Sequence, residues 1–268
     1  MKRKVDILAC LYSLFLILLL LSGSVSGILS EIVYLLAFAA PIFIGVYLTR
    51  NGDVKVKKYL TIDYEGARRT LPLVAPTVSV VMIISYLTSL IIFAITGKTN
   101  NVDLGDSFLL ALVSHALLPA VLEEALFRYL PLRLLGSHSR RGAILVSAFF
   151  FALVHHNLFT IPYAFIAGVI FMTIDIAFDS VIPSVIIHFV NNALSVVFIF
   201  GESVPGLNVA VLIILGLLTF LSFIDIIGGR YYPKMVKYAF AKGEGTEITL
   251  PMLIFAAVTL TIAVASLI

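Results

Sequence analysis

Three charged residues inside an apolar run are the first chemical signal in this sequence. The stretch LPAVLEEALFRYLPLRLL, residues 118–135, holds Glu123, Glu124 and Arg128 near its middle and Arg133 near its end. A charge near the centre of a membrane helix costs about 2.5–3.5 kcal/mol on insertion scales, so it needs a partner or a wet cavity. Glu124 and Arg128 lie at i and i+4, on one helix face and in the favourable order for an ion pair. Glu123 lies about 100° around the helix and is left as the candidate for chemistry.

Histidine and asparagine in two later apolar segments extend this pattern. Phe151 and His155 are at i and i+4 in FFFALVHHN, residues 149–157, and His188 and Asn192 have the same spacing in IPSVIIHFVNNALS, residues 182–195. A single histidine in an apolar helix is more often a packing or helix-to-helix hydrogen-bonding residue. Two such segments together with an unpaired glutamate favour a shared site. Depths counted at about 1.5 Å per residue permit the three segments to meet inside the membrane.

The composition indicates where these residues are embedded. The chain has 268 residues, of which 61% are hydrophobic and 12% are charged, whereas a soluble domain is about 25% charged. Its apolar runs of roughly 20 residues are long enough to cross a bilayer.

We predict an all-α polytopic membrane protein with about eight to nine transmembrane helices around an intramembrane cavity. A single integral-membrane domain covers 1–268, with a catalytic core at about 107–200. The predicted spans are 6–26, 28–49, 71–96, 107–135, 142–157, 158–178, 181–200, 207–228 and 248–268.

The distribution of lysine and arginine predicts the orientation. These residues cluster in loops on one side of the nine-span arrangement, with Lys98 on the other side. The positive-inside rule then predicts a cytoplasmic N-terminus and a C-terminus on the opposite side. Residues 1–26 also fit a cleaved signal peptide, whose removal would leave the downstream orientation unchanged. No continuous basic face predicts nucleic-acid binding, and the single cysteine, Cys10, excludes intrachain disulfides and a multi-cysteine zinc site.

Three short motifs, taken in order, resemble those of a known family. EEALFR fits E-E-x-x-x-R, FALVH fits F-x-x-x-H, and HFVNN fits H-x-x-x-N, over residues 123–192. This arrangement resembles the CAAX-protease and bacteriocin-processing family of intramembrane endopeptidases, which includes the Ras-converting type II CAAX prenyl endopeptidases. The resemblance implies hydrolysis of a peptide bond near the C-terminus of a protein. The implied substrate is a protein or lipidated C-terminal peptide that enters from the cytoplasmic leaflet. The basic loops on that side would bind its C-terminal carboxylate or the head groups of membrane lipids.

The resemblance also implies a role for each motif residue. Glu123 and His155 would activate a water, and His188 and Asn192 would stabilise the oxyanion. Glu124, Arg128 and Phe151 would support the site. Asparagine suits an oxyanion hole because its amide is neutral, and losing one such donor typically costs about 10²–10³ in kcat.

Alternatives remain at this stage. Glu123, His155 and His188 supply two imidazoles and a carboxylate, which is a catalytic zinc set, but the helix signature H-E-x-x-H is absent. We therefore place chemistry without a cofactor ahead of zinc chemistry. A proton-coupled transporter could use the same residues, although no inverted repeat is visible. Asp175 and Asp179 are interpreted as loop-edge residues and His115 as a packing residue. The natural substrate, its prenylation and the oligomeric state stay undecided.

Overall fold

The computed structural model describes residues 2–50, 58–100, 102–136, 139–228, 231–241 and 248–265. This part of the chain forms helices without any strand, so the predicted all-α fold is confirmed. The helices are α1 (Lys2–Ser24), α2 (Ile28–Leu48), α3 (Tyr64–Thr96), α4 (Phe108–Leu135), α5 (Arg140–Leu153), α6 (Ile161–Phe178), α7 (Ile182–Gly201), α8 (Leu207–Gly228), α9 (Tyr231–Phe240) and α10 (Leu250–Ala265).

The long helices make this an integral, multi-pass membrane protein. Seven of the described helices, α1 to α4 and α6 to α8, are long and apolar enough to cross a membrane. The predicted spans 142–157 and 248–268 contain shorter helices, α5 with 14 residues and α10 with 16 residues. The helix α9 was not predicted. The last three residues of the final predicted span and the basic residues at 55, 57, 230 and 242 lie outside the described residues.

The helix that carries Glu123, Glu124 and Arg128, α4, is irregular. It contains two π-helical segments, Leu112–Leu117 and Ala125–Tyr129. Each segment is followed within two residues by a proline, Pro119 or Pro131. Proline has no N–H to donate and its ring clashes with the carbonyl four residues earlier. The helix therefore widens at both places, and the second wide turn includes Arg128. Such π-bulges are frequent at functional sites.

The helix bundle has two chemically different ends. We define the basic end as the start of α1 together with residues 49–50, 58–63, 136, 139 and 179–181, and the far end as residues 25–27, 97–100, 102–107 and 202–206. At the basic end, Arg133 donates to the hydroxyl and carbonyl oxygens of Thr49 at 3.0 and 3.1 Å. Lys58 pairs there with Asp179 at 3.4 Å. At the far end, the described cation is Lys98. The structure thus separates the ends by charge, as the sequence predicts.

The short helix α5 approaches α6 closely through glycine. A methyl group on Gly168 of α6 would lie 2.8 Å from the Cα of Ala148 and 3.0 Å from its Cβ, and Phe151 lies 3.5 Å away. Because the nearest atom belongs to the backbone, it cannot move aside by a change of side-chain rotamer. Gly168 therefore sets the distance between the helix that presents Phe151 and the helix beside it.

Gly168→Ala is expected to reduce stability, because overpacking typically costs about 1–3 kcal/mol. The matched control is Gly216→Ala in α8, where an added methyl group meets nothing within 4 Å. Thermal unfolding in detergent micelles should show a lower Tm for Gly168→Ala and an equal or higher Tm for Gly216→Ala. Equal Tm values for the wild type and Gly168→Ala would contradict a rigid contact between α5 and α6.

Candidate active site

An ion pair between Glu124 and Arg128 lies at the base of the site. Both side chains are 0% exposed, and Arg128 Nε lies 3.1 Å from Glu124 Oε2. The angle at this contact is outside the range of a hydrogen bond, so the contact is electrostatic. The pairing at i and i+4 that the sequence predicts is thus present within α4. Burial makes this pair costly to break, because either partner alone would be an uncompensated charge.

The guanidinium of Arg128 also joins α4 to two other helices. Its Nη1 donates to Ser147 Oγ of α5 at 3.1 Å and to the carbonyl oxygen of Phe127 at 3.3 Å. Its central carbon lies 4.2 Å from the ring centroid of Phe151 and 5.6 Å from that of Phe171, which are cation–π distances. The ring of Phe151 therefore packs against the guanidinium of Arg128.

His188 lies between the two adjacent glutamates. Its Nδ1 is 2.8 Å from Glu124 Oε1, and its Nε2 is 3.7 Å from Glu123 Oε2. An ionised carboxylate only accepts hydrogen bonds, so Nδ1–H donates to Glu124 and fixes the ring orientation. The sequence did not predict this contact, because it joins residues 64 positions apart. Glu124 is therefore both the partner of Arg128 and the group that orients His188.

His155 is positioned by the end of α5. The helix ends at Leu153, and the last carbonyl groups of a helix lack partners within it. His155 Nδ1 lies 2.7 Å from one of them, the carbonyl oxygen of Phe151. A carbonyl oxygen only accepts, so Nδ1–H donates. In the neutral imidazole, Nε2 then carries the lone pair that can accept a proton.

Asn192 has one end of its amide engaged. Nδ2 of Asn191 donates to Oδ1 of Asn192 at 3.1 Å, so the Asn192 amide group keeps its own donors for another partner. Asn192 lies one turn after His188 in α7 and lines the same cavity. Sequence reasoning treated Asn191 as a duplicate of its neighbour, whereas the structure gives it a contact that orients Asn192.

The four candidate residues line one cavity of about 780 Å³. The Glu123 side chain is 19% exposed, in contrast to the buried Glu124. His115, which the sequence places two turns before Glu123 on nearly the same helix face, also lines this cavity. Further lining residues that sequence reasoning missed are polar or aromatic: Ser30, Glu31, Tyr34, Asn100, Tyr163, Phe171, Asn191 and Ser195. Their residue types alone do not assign them to the cavity, because polar and aromatic residues also occur elsewhere in the apolar helices.

A second correction concerns Asp175. The sequence-based interpretation placed both Asp175 and Asp179 at a loop edge, but Asp175 is fully buried. Its carboxylate accepts from the Ser184 hydroxyl at 2.7 Å and from the Ser184 backbone N–H at 3.2 Å. These bonds join the last turn of α6 to the first turn of α7. Asp179 does lie at the loop edge, where it pairs with Lys58.

The donor set for a metal is not assembled in this arrangement. Among the described residues, no group of three or more His, Cys, Asp and Glu side chains is placed to hold a metal ion. One nitrogen of His188 is occupied by Glu124, and one nitrogen of His155 by the Phe151 carbonyl. A zinc ion would therefore be held by Nε2 of His155, Nε2 of His188 and the carboxylate of Glu123.

Comparison with known proteins supports the resemblance that the motifs suggested. Residues 105–194 match the family model described as type II CAAX prenyl endopeptidase Rce1-like, a family of CAAX-type intramembrane endopeptidases. The matched segment contains all three motifs, from Glu123 to Asn192. The resemblance to this family is therefore confirmed. No curated protein and no solved structure matches the chain.

Because the ion pair is buried, removing one of its charges should lower the free energy of unfolding more than removing both. Arg128→Met leaves Glu124 charged and buried, so we expect a loss of about 3–5 kcal/mol in the free energy of unfolding. The double variant Glu124→Gln with Arg128→Met should recover part of this loss, because glutamine is neutral and still accepts from His188. Unfolding by denaturant in detergent micelles measures both.

The control is Arg68→Met, which removes an exposed partner of Glu65. Exposed pairs contribute about 0.2–1 kcal/mol, so this variant should stay close to the wild type. A double variant as unstable as Arg128→Met would show that the uncompensated charge is not the cause of the loss.

Proposed function

We propose that this protein is an intramembrane endopeptidase that hydrolyses a peptide bond with a water activated by Glu123 and His155. The observation that supports this most strongly is the arrangement of these two residues with His188 and Asn192 on one cavity. The match to the endopeptidase family over residues 105–194 supports the same reaction class. The proposed substrate is a protein segment near the C-terminus, which includes prenylated C-a-a-X sequences.

Water activation uses the two acceptors that face the cavity. Among the described residues, Glu123 makes an ion-pair contact with His188 and none with His155. Its Oε2 has no hydrogen-bond partner among these residues, so this oxygen is available to accept from a water. The neutral His155 offers the lone pair of Nε2. A water between them can donate to both groups and lose a proton to one of them, and such general-base assistance contributes about 10²–10⁴ in rate.

The next steps follow from attack by this water. Its oxygen forms a bond to the peptide carbonyl carbon, and the electron pair of the C=O bond moves to the carbonyl oxygen. The amide of Asn192 donates to this oxyanion, as does Nε2–H of His188 in its imidazolium form. The proton held by Glu123 or His155 then passes to the amide nitrogen as the C–N bond breaks, which releases a carboxylic acid and an amine.

Glu124, Arg128 and Phe151 act as positioning residues in this proposal. Glu124 holds His188 with Nε2 directed toward Glu123. Arg128 compensates the charge of Glu124 and packs on the ring of Phe151, whose carbonyl oxygen holds His155. One connected set of contacts therefore orients both imidazoles.

Zinc chemistry is the second candidate, because Glu123 and two imidazoles share the cavity. The two mechanisms differ in their response to a strong chelator. Activity that is lost with the chelator and restored by added zinc would favour the metal mechanism. Activity that persists would favour general-base chemistry without a metal.

The test of the catalytic assignment is cleavage of a fluorogenic farnesylated C-a-a-X peptide, and of its unprenylated form, by purified protein. Glu123→Gln is expected to lower kcat by about 10²–10⁴. Asn192→Ala is expected to lower kcat by about 10²–10³, because it removes an oxyanion donor.

The matched control is Asn208→Ala, which removes a hydrogen bond to the Phe198 carbonyl at a position that does not line the cavity. This variant should keep the wild-type kcat. The kcat values are compared only among variants whose measured Tm equals that of the wild type. Full activity of Glu123→Gln would refute the assigned base. Absence of cleavage of a broad peptide library by the wild type would refute the proposed reaction and leave the transporter alternative.

A further inference from the structure

A second, smaller cavity lies beside the candidate catalytic residues, and we call it the side pocket. It has a volume of about 190 Å³. Tyr34, Glu123 and His155 line both the side pocket and the cavity of about 780 Å³. The two proposed water-activating residues therefore stand where the two cavities adjoin. The other residues that line the side pocket are Phe15, Leu19, Phe38, Phe127, Val154 and His156.

The helical period explains how three separate helices build this pocket. Residues at i and i+4 share one face of a helix. Three helices each contribute such a pair: Phe15 and Leu19 in α1, Tyr34 and Phe38 in α2, and Glu123 and Phe127 in α4. The ring centroids of Phe15 and Phe38 lie 4.8 Å apart, and those of Phe15 and Phe127 lie 5.7 Å apart, both edge to face. Aromatic pairs prefer this arrangement, so the wall of the pocket has a defined shape.

The end of α5 closes the side pocket. The helix ends at Leu153, and the next three residues, 154–156, all line the pocket. His156 has a left-handed backbone with φ 34°, which is uncommon for a residue other than glycine. Its Nδ1 lies 2.7 Å from the carbonyl oxygen of Val154. In a continuing helix these residues would lie about 100° apart, whereas this turn directs all of them to one pocket.

The side pocket is mostly apolar, and its size suits one amino-acid side chain. Phe15, Phe38, Phe127 and Val154 are buried. Protein interiors contain few voids larger than a water molecule, so an apolar hollow next to reactive groups indicates a place for part of a ligand. The pockets that hold drug-sized ligands have volumes of about 300–1,000 Å³. The smaller volume of the side pocket fits a single apolar side chain.

We propose that the side pocket binds the apolar side chain of a residue next to the scissile bond and selects substrates by the size of that side chain. This inference rests on the proposed endopeptidase function and deepens it. A side chain in the pocket holds the adjacent peptide carbonyl group beside Glu123 and His155, which line both cavities. Four of the pocket residues belong to α1 and α2, outside the segment 105–194 that matches the family model. The first two helices therefore contribute to substrate choice.

Size selection is tested with peptides that are identical except at one of the two residues flanking the scissile bond, which is Ala, Leu or Trp. Mass spectrometry of the products first locates the bond. One missing methylene in an apolar pocket typically costs about 10–200-fold, so kcat/KM at one flanking position should be about ten-fold or more lower for Ala than for Leu. Phe38→Ala enlarges the pocket and should raise the ratio of the Trp to the Leu peptide. Leu19→Trp fills the pocket and should lower the ratio of the Leu to the Ala peptide.

The matched control for Phe38→Ala is Phe255→Ala, because both side chains are 2% exposed and Phe255 lines neither cavity. The control for Leu19→Trp is Leu20→Trp, which changes an exposed position of α1 outside the pocket. Both controls should keep the wild-type ratios. A ratio of two peptides measured on one preparation does not depend on the amount of folded enzyme, so a loss of stability does not alter it.

Unchanged ratios in both Phe38→Ala and Leu19→Trp, with cleavage retained, would overturn the inference and leave the side pocket to a lipid chain. Ratios that change only when the varied residue lies away from the scissile bond would overturn it as well. In both cases cleavage itself still supports the endopeptidase function. Absence of cleavage of every peptide by the wild type would instead refute that function, and the inference with it.

Discussion

The burial of the Glu124–Arg128 pair is the constraint on which the rest of the site depends. Neither charge reaches water, so each must be satisfied by protein groups, and the groups that do so come from different helices. Arg128 reaches Ser147 and the ring of Phe151 on α5, while Glu124 reaches His188 on α7. One ion pair within α4 therefore determines how three helices are placed around the cavity.

Two adjacent glutamates have different environments because they lie on different faces of α4. Glu124 points toward Arg128 and His188, which hold it in place. Glu123 points into the cavity, where water can reach it and where it faces His188 Nε2.

Several sequence-based predictions failed for identifiable physical reasons. The predicted span 142–157 contains a helix that ends at Leu153, and that early end is what allows His155 to turn back to the Phe151 carbonyl. The short helix α9 was missed because it is amphipathic and packs at the basic end, where Arg140 contacts Tyr238. Asp175 looked like a loop-edge residue because its partner Ser184 lies across the turn between α6 and α7.

The sequence by itself determined the membrane class, most helix positions, the separation of charge between the two ends and the pairing of Glu124 with Arg128. Each of these follows from local composition or from the helical period, in which residues at i and i+4 share a face. Only the tertiary structure decided that Glu124 holds His188 and that Glu123, His155, His188 and Asn192 line one cavity together with Glu31. These features depend on contacts between residues far apart in the chain, and the helical period carries no information about which helices meet.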